Sequence, residues 1–216
     1  MPSASIVLYT DAFWISPYVF TCFVALREKG LPFKTRSVAL QDKEQRGAAF
    51  RTRSLTGRVP ALEHGDFMLT ESNAIVDYLE EAFPAPAYPS VYPADVQARA
   101  RARQLLGWIR TDLIPIREER ATHTMFYTRA TDPLSAAGRD AAERLLFVAD
   151  QLVTEGTPTL FGAFGIADAD LAFMLQRLLL NGEPVPAKLA SYARGVWERP
   201  SIREFVTHVR LPYVPY

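Results

Sequence analysis

The sequence predicts two folded parts: a small mixed α/β domain over residues 1–83 and an all-helical domain over 95–216, joined by a proline-rich linker at 84–94. Three observations carry this. Short continuous apolar runs alternate with amphipathic stretches up to residue 83. The stretch "PAPAYPSVYP" then sets Pro84, Pro86, Pro89 and Pro93 close together, and prolines, which fix φ and lack a backbone donor, keep it out of any helix interior. Beyond it no segment alternates with a period of two; apolar residues recur at helical spacing instead.

"SIVLY" (5–9) is a continuous apolar run of the kind a strand buried on both faces shows. "PYVFTCFVALREKG" follows as a helix: Val19, Phe23 and Leu26 share a face, and Gly30 stands where a C-cap is expected. "FKTRSV" (33–38) is a weaker strand, and residues 41–58 are polar and ambiguous. "PALE" (60–63) and "DFML" (66–69) form a hairpin around "HG". "SNAIVDYLEEAF" places Ile75, Tyr78, Leu79 and Ala82 on one helical face. A small mixed sheet covered by helices would bury these runs. In the second half, "RARQLLGWIRTDLIPIREER" is helical and should break or kink at Pro115; "SAAGRDAAERLLFVADQLV" is amphipathic; "ADLAFMLQRLLL" is apolar on most faces, as the central helix of a bundle is.

Twenty-four basic residues balance 24 acidic ones, so no bulk field favours nucleic acid or an anionic membrane, and neither is expected as a partner. Arg99, Arg101 and Arg103 in "ARARARQ" spread around a helix rather than along one face. With Cys22 as the one cysteine no intrachain disulfide is possible, and its neighbours Phe23 and Val24 predict burial. His64, His123 and His208 lack metal-ligand spacing, so no metal is expected. No apolar stretch reaches the roughly 18 residues of a membrane span. "MPSASIVLY" has no basic segment ahead of its apolar run and lacks the form of a signal peptide, so a cytoplasmic protein is expected.

Three short motifs bear on chemistry. In "WISPY", Ser16 precedes Pro17 at a helix start; its hydroxyl is either a cap for that helix or a group that faces a substrate. In "GRVPAL", Pro60 opens a strand. Were the Val59–Pro60 bond cis, Val59 would turn its own N–H and C=O outward to an extended peptide; the other reading is an ordinary trans proline. In "TESNAI", Glu71 and Ser72 open a helix, where backbone N–H groups favour a carboxylate; Ser72 could donate to it and Glu71 could accept from an ammonium group. A plain helix cap is the alternative.

With "SPY", "RVPAL", "ESNAIVDYLE" and, late in the chain, "WERPSIREF" in this order, the sequence resembles the glutathione transferase superfamily over nearly its whole length. "WISPYVFTCFVALREKGLPF" is similar to serine-type classes such as tau and theta, and "RARARQLLGWIRTDLIPIREER" and "GIADADLAFMLQRLLL" resemble the bacterial YfcF-type transferases. The resemblance implies a thioredoxin-like βαβαββα domain ahead of a helical bundle, glutathione as co-substrate without a metal, a small electrophile or hydroperoxide as second substrate, and a homodimer. It puts Ser16 at the catalytic hydroxyl, Val59 before a structural cis-proline at Pro60, Glu71 and Ser72 at the γ-glutamyl end and Lys43 near the glycyl carboxylate. Phe13, Trp14, Arg110, Arg117 and Tyr127 are candidates for the electrophile pocket, with core packing the alternative for the aromatics. The charge-dense "IREER" (116–120) is either an interdomain ion cluster or a polar pocket wall.

Some positions depart from the family pattern. Serine rather than cysteine at 16 disfavours mixed-disulfide chemistry. Arg53-Ser54 stands where Asn-Pro is frequent, and Gly165 stands where Ser or Thr usually caps the buried helix, leaving Asp168 to bond backbone. A thiol with a pKa of about 8.5 is only a few per cent ionised at neutral pH, so Ser16 would act as a hydrogen-bond donor to a thiolate, not as a nucleophile. The expected activity is conjugation, with peroxidase activity through the same thiolate. A scaffold with a retired site, and a glutathione-dependent dehalogenase or isomerase, are the competing functions.

Overall fold

The computed structural model describes residues 5–216. The chain forms two compact units, one made of the chain up to Val91 together with Glu204–Tyr216, the other of Tyr92–Arg203. Among the described residues no helix is long and apolar enough to cross a membrane.

The first unit runs β1 (Ile6–Asp11), α1 (Pro17–Glu28), β2 (Lys34–Val38), two 3-10 turns (Leu40–Asp42 and Glu44–Arg46), α2 (Ala48–Arg51), β3 (Ala61–His64), β4 (Phe67–Thr70) and α3 (Ser72–Ala82). The sheet order is β2-β1-β3-β4, with β1 parallel to β2 and antiparallel to β3. The hairpin turns one residue later than the sequence suggested: His64 still pairs with Phe67, and Gly65–Asp66 make the turn with Gly65 at φ 61°. Tyr9, Val38 and Ala61 pack on one face with Phe50, whose ring meets Tyr9 edge-on at 5.7 Å. That one aromatic anchors the otherwise polar stretch 41–58 as a short helix. Leu8 and Leu62, cross-strand partners and fully buried, point to the opposite face, where α1 and α3 pack on each other.

Gly30 ends α1 in the left-handed region at φ 65°, and the next N–H, that of Leu31, returns to the Leu26 carbonyl at 3.1 Å. One residue earlier, the enclosed ammonium of Lys29 pairs with Glu80 of α3 at 2.9 Å and donates to the Pro89 carbonyl at 3.0 Å. Glu80 also accepts from the Val91 N–H at 3.2 Å and from the Ser90 hydroxyl. This clip ties the proline-rich segment to both helices.

The second unit holds α4 (Val96–Thr111), α5 (Ile114–Glu119), α6 (Thr122–Phe126), α7 (Ala136–Leu152), α8 (Ile166–Leu179) and α9 (Ala187–Trp197); α10 (Pro200–Val206) carries the chain back to the first. The break before α5 falls where Pro115 placed it, with the proline in that helix's first turn. α8 is buried from Ile166 to Leu178, and α4, α6, α7 and α9 pack around it. In its first turn, the Asp168 carboxylate accepts from the Gly165 N–H at 2.9 Å, the Leu160 N–H at 2.7 Å and the Tyr192 hydroxyl at 2.8 Å. Burial still holds the Asp168 pKa above its ordinary range. In "IREER", Arg117 donates to the Arg110 carbonyl at 2.6 Å, Arg120 pairs with Glu183, and Glu119 accepts from the Ser135 N–H at 2.7 Å and hydroxyl at 2.6 Å. Those partners all belong to the helical unit, where the segment braces α5 against α4 and the start of α7.

Glu80→Ala leaves the buried Lys29 ammonium without its counter-ion and is expected to cost about 3–5 kcal/mol in urea unfolding, while the pair Lys29→Met with Glu80→Gln, which keeps an acceptor oxygen beside Val91, recovers part of it. Glu119 is held below the ordinary carboxylate range chiefly by the Ser135 hydroxyl and N–H. Its contribution is therefore whole above the unfolded pKa and disappears as pH falls through the lowered one. Glu119→Gln is expected to lower stability at neutral pH and to flatten the acid limb of a stability–pH curve measured by denaturant unfolding.

Candidate active site

Strand pairing brings the sequence-predicted residues to one end of the sheet. Asp11 at the end of β1 pairs with Val38 at the end of β2, and Tyr9 pairs with Ala61, which pairs with Thr70 at the end of β4. The loops carrying Ser16, Lys43, Val59–Pro60 and Glu71–Ser72 therefore all start or finish at that end.

Ser16 sits in extended backbone just before α1, and Pro17 is the first helical residue. Its Oγ accepts from the Val19 N–H at 3.3 Å, so it does cap the helix. Among the described residues its hydroxyl proton meets no acceptor. Cap and donor are compatible, because capping takes a lone pair and leaves the O–H. Asp11, fully buried, reaches forward to fix this loop: its carboxylate accepts from the N–H of Ile15 at 2.9 Å and of Ser16 at 3.1 Å. Desolvation raises the Asp11 pKa, and the two N–H bonds and the Arg210 charge oppose that rise. The sequence reading missed Asp11. Its signal was its place as the sole charged residue in "SIVLYTDAFWISP".

The Val59–Pro60 bond is cis, as is Ala85–Pro86 away from the site. Val59 is half-buried, and among the described residues its backbone N–H and C=O form no hydrogen bond. Upstream, where the family pattern is broken, buried Ser54 accepts from the Gly57 N–H at 3.1 Å and so makes the turn that leads to Val59. Glu71 is exposed at φ 72°, and among the described residues its carboxylate has no partner. Ser72 is buried, and its carbonyl accepts weakly from the Cys22 thiol at 3.7 Å. Cys22 is thus a buried packing residue between α1 and α3. Lys43 is exposed between the two 3-10 turns at φ 58°. Among the described residues the non-glycine positions with positive φ are Trp14, Lys43 and Glu71, each a predicted site residue. Such backbone costs about 1–3 kcal/mol per residue and clusters at functional sites.

The electrophile-pocket candidates fall into two groups. Phe13 and Trp14 are buried in aromatic contacts of the first unit: Phe13 with Tyr213 and Tyr216, Trp14 with His208, Phe23 and Phe205. Arg110 and Arg117 belong to the helical unit, where Arg110 pairs with Asp170 at 2.8 Å; half-buried Tyr127 follows α6.

A four-stranded mixed sheet backed by α1 and α3 and followed by a helical unit is the two-domain architecture of glutathione transferases. Family models for the glutathione S-transferase N-terminal domain match residues 12–87 and for the C-terminal domain residues 95–210; the chain belongs to this family. It is similar to a Burkholderia glutathione transferase homolog solved with bound glutathione, at 41% identity over 94% of this chain and 96% of that one, with a TM-score of 0.77. It is 34% identical over 145 residues to a maleylpyruvate isomerase of Ralstonia, covering 63% of this chain and 67% of that protein. It is 37% identical over 86 residues to human glutathione S-transferase theta-2, covering 40% of this chain and 34% of that enzyme, so the match spans about a third of the theta relative's length.

Asp11→Ala leaves two enclosed N–H groups without their acceptor and is expected to cost about 1–3 kcal/mol. Amide hydrogen exchange should show the protection of Ile15 and Ser16 falling more than that of α1.

Proposed function

We propose that this chain binds glutathione at the end of its sheet and conjugates the thiolate to small electrophiles. The observation that carries the reading is Ser16, its backbone N–H held by Asp11 at the N-terminus of a 12-residue helix and its hydroxyl proton still available. The donor set fits the tripeptide. Glutathione supplies a thiol, two carboxylates, an ammonium group and an extended backbone. Val59 offers a free N–H and C=O to the cysteinyl part, Glu71 an acceptor for the ammonium, Ser72 and the start of α3 donors for its carboxylate, and Lys43 a cation for the glycyl end.

At this position Ser16 donates to sulfur while α1 presents its positive end, so the thiol proton leaves to solvent and the thiolate is held ready to attack. Tenfold more thiolate needs about 1.4 kcal/mol, within the range of one hydrogen bond to a charged group. On this reading residues 1–83 are the glutathione-binding domain, 84–94 the linker and 95–216 the helical domain. Family resemblance adds a cytoplasmic homodimer and reduction of hydroperoxides by the same thiolate.

The Ralstonia likeness favours a second reading, glutathione-dependent isomerisation. There the thiolate adds to a conjugated double bond, the resulting single bond rotates, and the thiolate leaves again, so glutathione is not consumed. Assays for conjugate formation and for isomerisation of an unsaturated diacid separate the two.

Calorimetric titration with glutathione should give binding, and ultraviolet absorbance should show thiolate at neutral pH; no binding at millimolar glutathione would overturn the reading. Ser16→Ala is expected to retain binding and lose conjugation by about 10- to 100-fold, the worth of one hydrogen bond to an ionised sulfur. Glu71→Ala is expected to weaken binding by about tenfold or more and to raise the apparent KM in steady-state assays.

A further inference from the structure

The C-terminal segment packs on the loop that carries Ser16. Phe205 of α10 meets Phe20, Phe23 and Trp14 at ring-centroid distances of 5.3, 5.7 and 5.5 Å. His208 stacks on the Trp14 indole at 3.8 Å with 20° between the planes. At the end of α10, where carbonyls lack helical partners, the Arg210 guanidinium donates to the carbonyls of Phe205 at 3.0 Å, Val206 at 3.0 Å and His208 at 2.9 Å. Its Nε then donates to the Trp14 carbonyl at 3.2 Å.

That fourth bond bears on the site. The Trp14 carbonyl and the Ile15 N–H belong to one planar peptide group. Arg210 holds its oxygen, and Asp11 holds its hydrogen. The following N–H, that of Ser16, is held by the other oxygen of Asp11. Trp14 itself has φ 52°, a backbone state that an aromatic residue keeps only when its surroundings fix it. Turning the peptide group toward ordinary backbone would swing Ser16 and its hydroxyl.

We infer that Arg210 is a positioning residue of the active site, clamping the Trp14–Ile15 peptide so that the Ser16 hydroxyl points at the thiol; this rests on the glutathione reading above. The tail is thus part of the thiol-activating apparatus, although it lies at the far end of the sequence.

The experiment titrates glutathione bound to the wild type and to Arg210→Ala, Arg210→Lys and Ser16→Ala, following thiolate absorbance against pH, with Kd by calorimetry and kcat by conjugation. Arg210→Ala is expected to raise the pH at which the bound thiol ionises and to lower kcat by about tenfold, the effect of weakening one hydrogen bond to a charged group. Kd should change by less than about threefold, because Val59, Glu71 and Ser72 are untouched. Arg210→Lys keeps the cation at the end of α10 but loses the planar fork, and should move both quantities in the same direction by less. It serves as the test if the alanine variant does not fold. A role confined to stability would leave the thiol titration where it is. If Ser16→Ala shifts the titration and the folded Arg210 variants do not, the inference fails alone. If Ser16→Ala itself leaves the titration unmoved, the role given to Ser16 fails and takes the inference with it.

Discussion

The geometry of the site end depends on one buried carboxylate. Asp11 closes β1, and from there the chain must turn within a few residues into α1. Its two oxygens take the N–H groups of Ile15 and Ser16, which the turn would otherwise leave buried and unpaired. An ionised group with no solvent is costly, and its raised pKa records that cost. The arrangement stands because the N–H bonds and the nearby Arg210 charge offset part of it. Through this carboxylate the register of the sheet is passed to the start of the helix. Ser16 therefore takes its place from the strand rather than from the loop's own preferences.

The rest of the first unit presents its groups by the same logic of strand ends. One parallel pair and two antiparallel pairs bring the carboxyl ends of β1, β2 and β4 and the amino end of β3 together. Backbone that a sheet or helix would normally engage stays open at Val59, and Lys43 and Glu71 themselves take positive φ. In the helical unit, by contrast, arginines engage carbonyls and carboxylates of the same unit. Arg177, almost wholly enclosed, donates to the Arg120 carbonyl at 2.6 Å, and Arg120 in turn grips Glu183 and the Asp132 carbonyl.

Much of this was legible in the sequence because burial leaves periodic traces. β1 reads as a strand since both its faces are covered, α8 reads as central since it is apolar all round, and the break at Pro115 follows from a missing donor. What could not be read had no periodicity. Only Phe50 signals the helix within 41–58, and one aromatic in a polar stretch does not set a period. The hairpin turn shifted by one residue because "HG" and "GD" are both acceptable turn pairs, and the pairing of His64 with Phe67 decides between them. The motifs named Ser16, Val59, Glu71 and Ser72 but not what orients them. Asp11 acts through backbone groups four and five residues on, and Arg210 acts across 196 positions, a separation no local pattern spans.

The discontinuous make-up of the first unit has a consequence during synthesis. A ribosome reaches Val91 with all four strands and α3 already translated, yet Phe205, His208 and Arg210 come only after the whole helical unit has been made. Until those residues clear the exit tunnel, the Trp14 indole lacks its stacking partner and the Trp14 carbonyl lacks its donor. The sheet can form on the nascent chain, but the loop beside it acquires its final shape only once those later residues have emerged. A chain interrupted ahead of Phe205 would thus carry all four strands and still lack the last contacts that shape this loop.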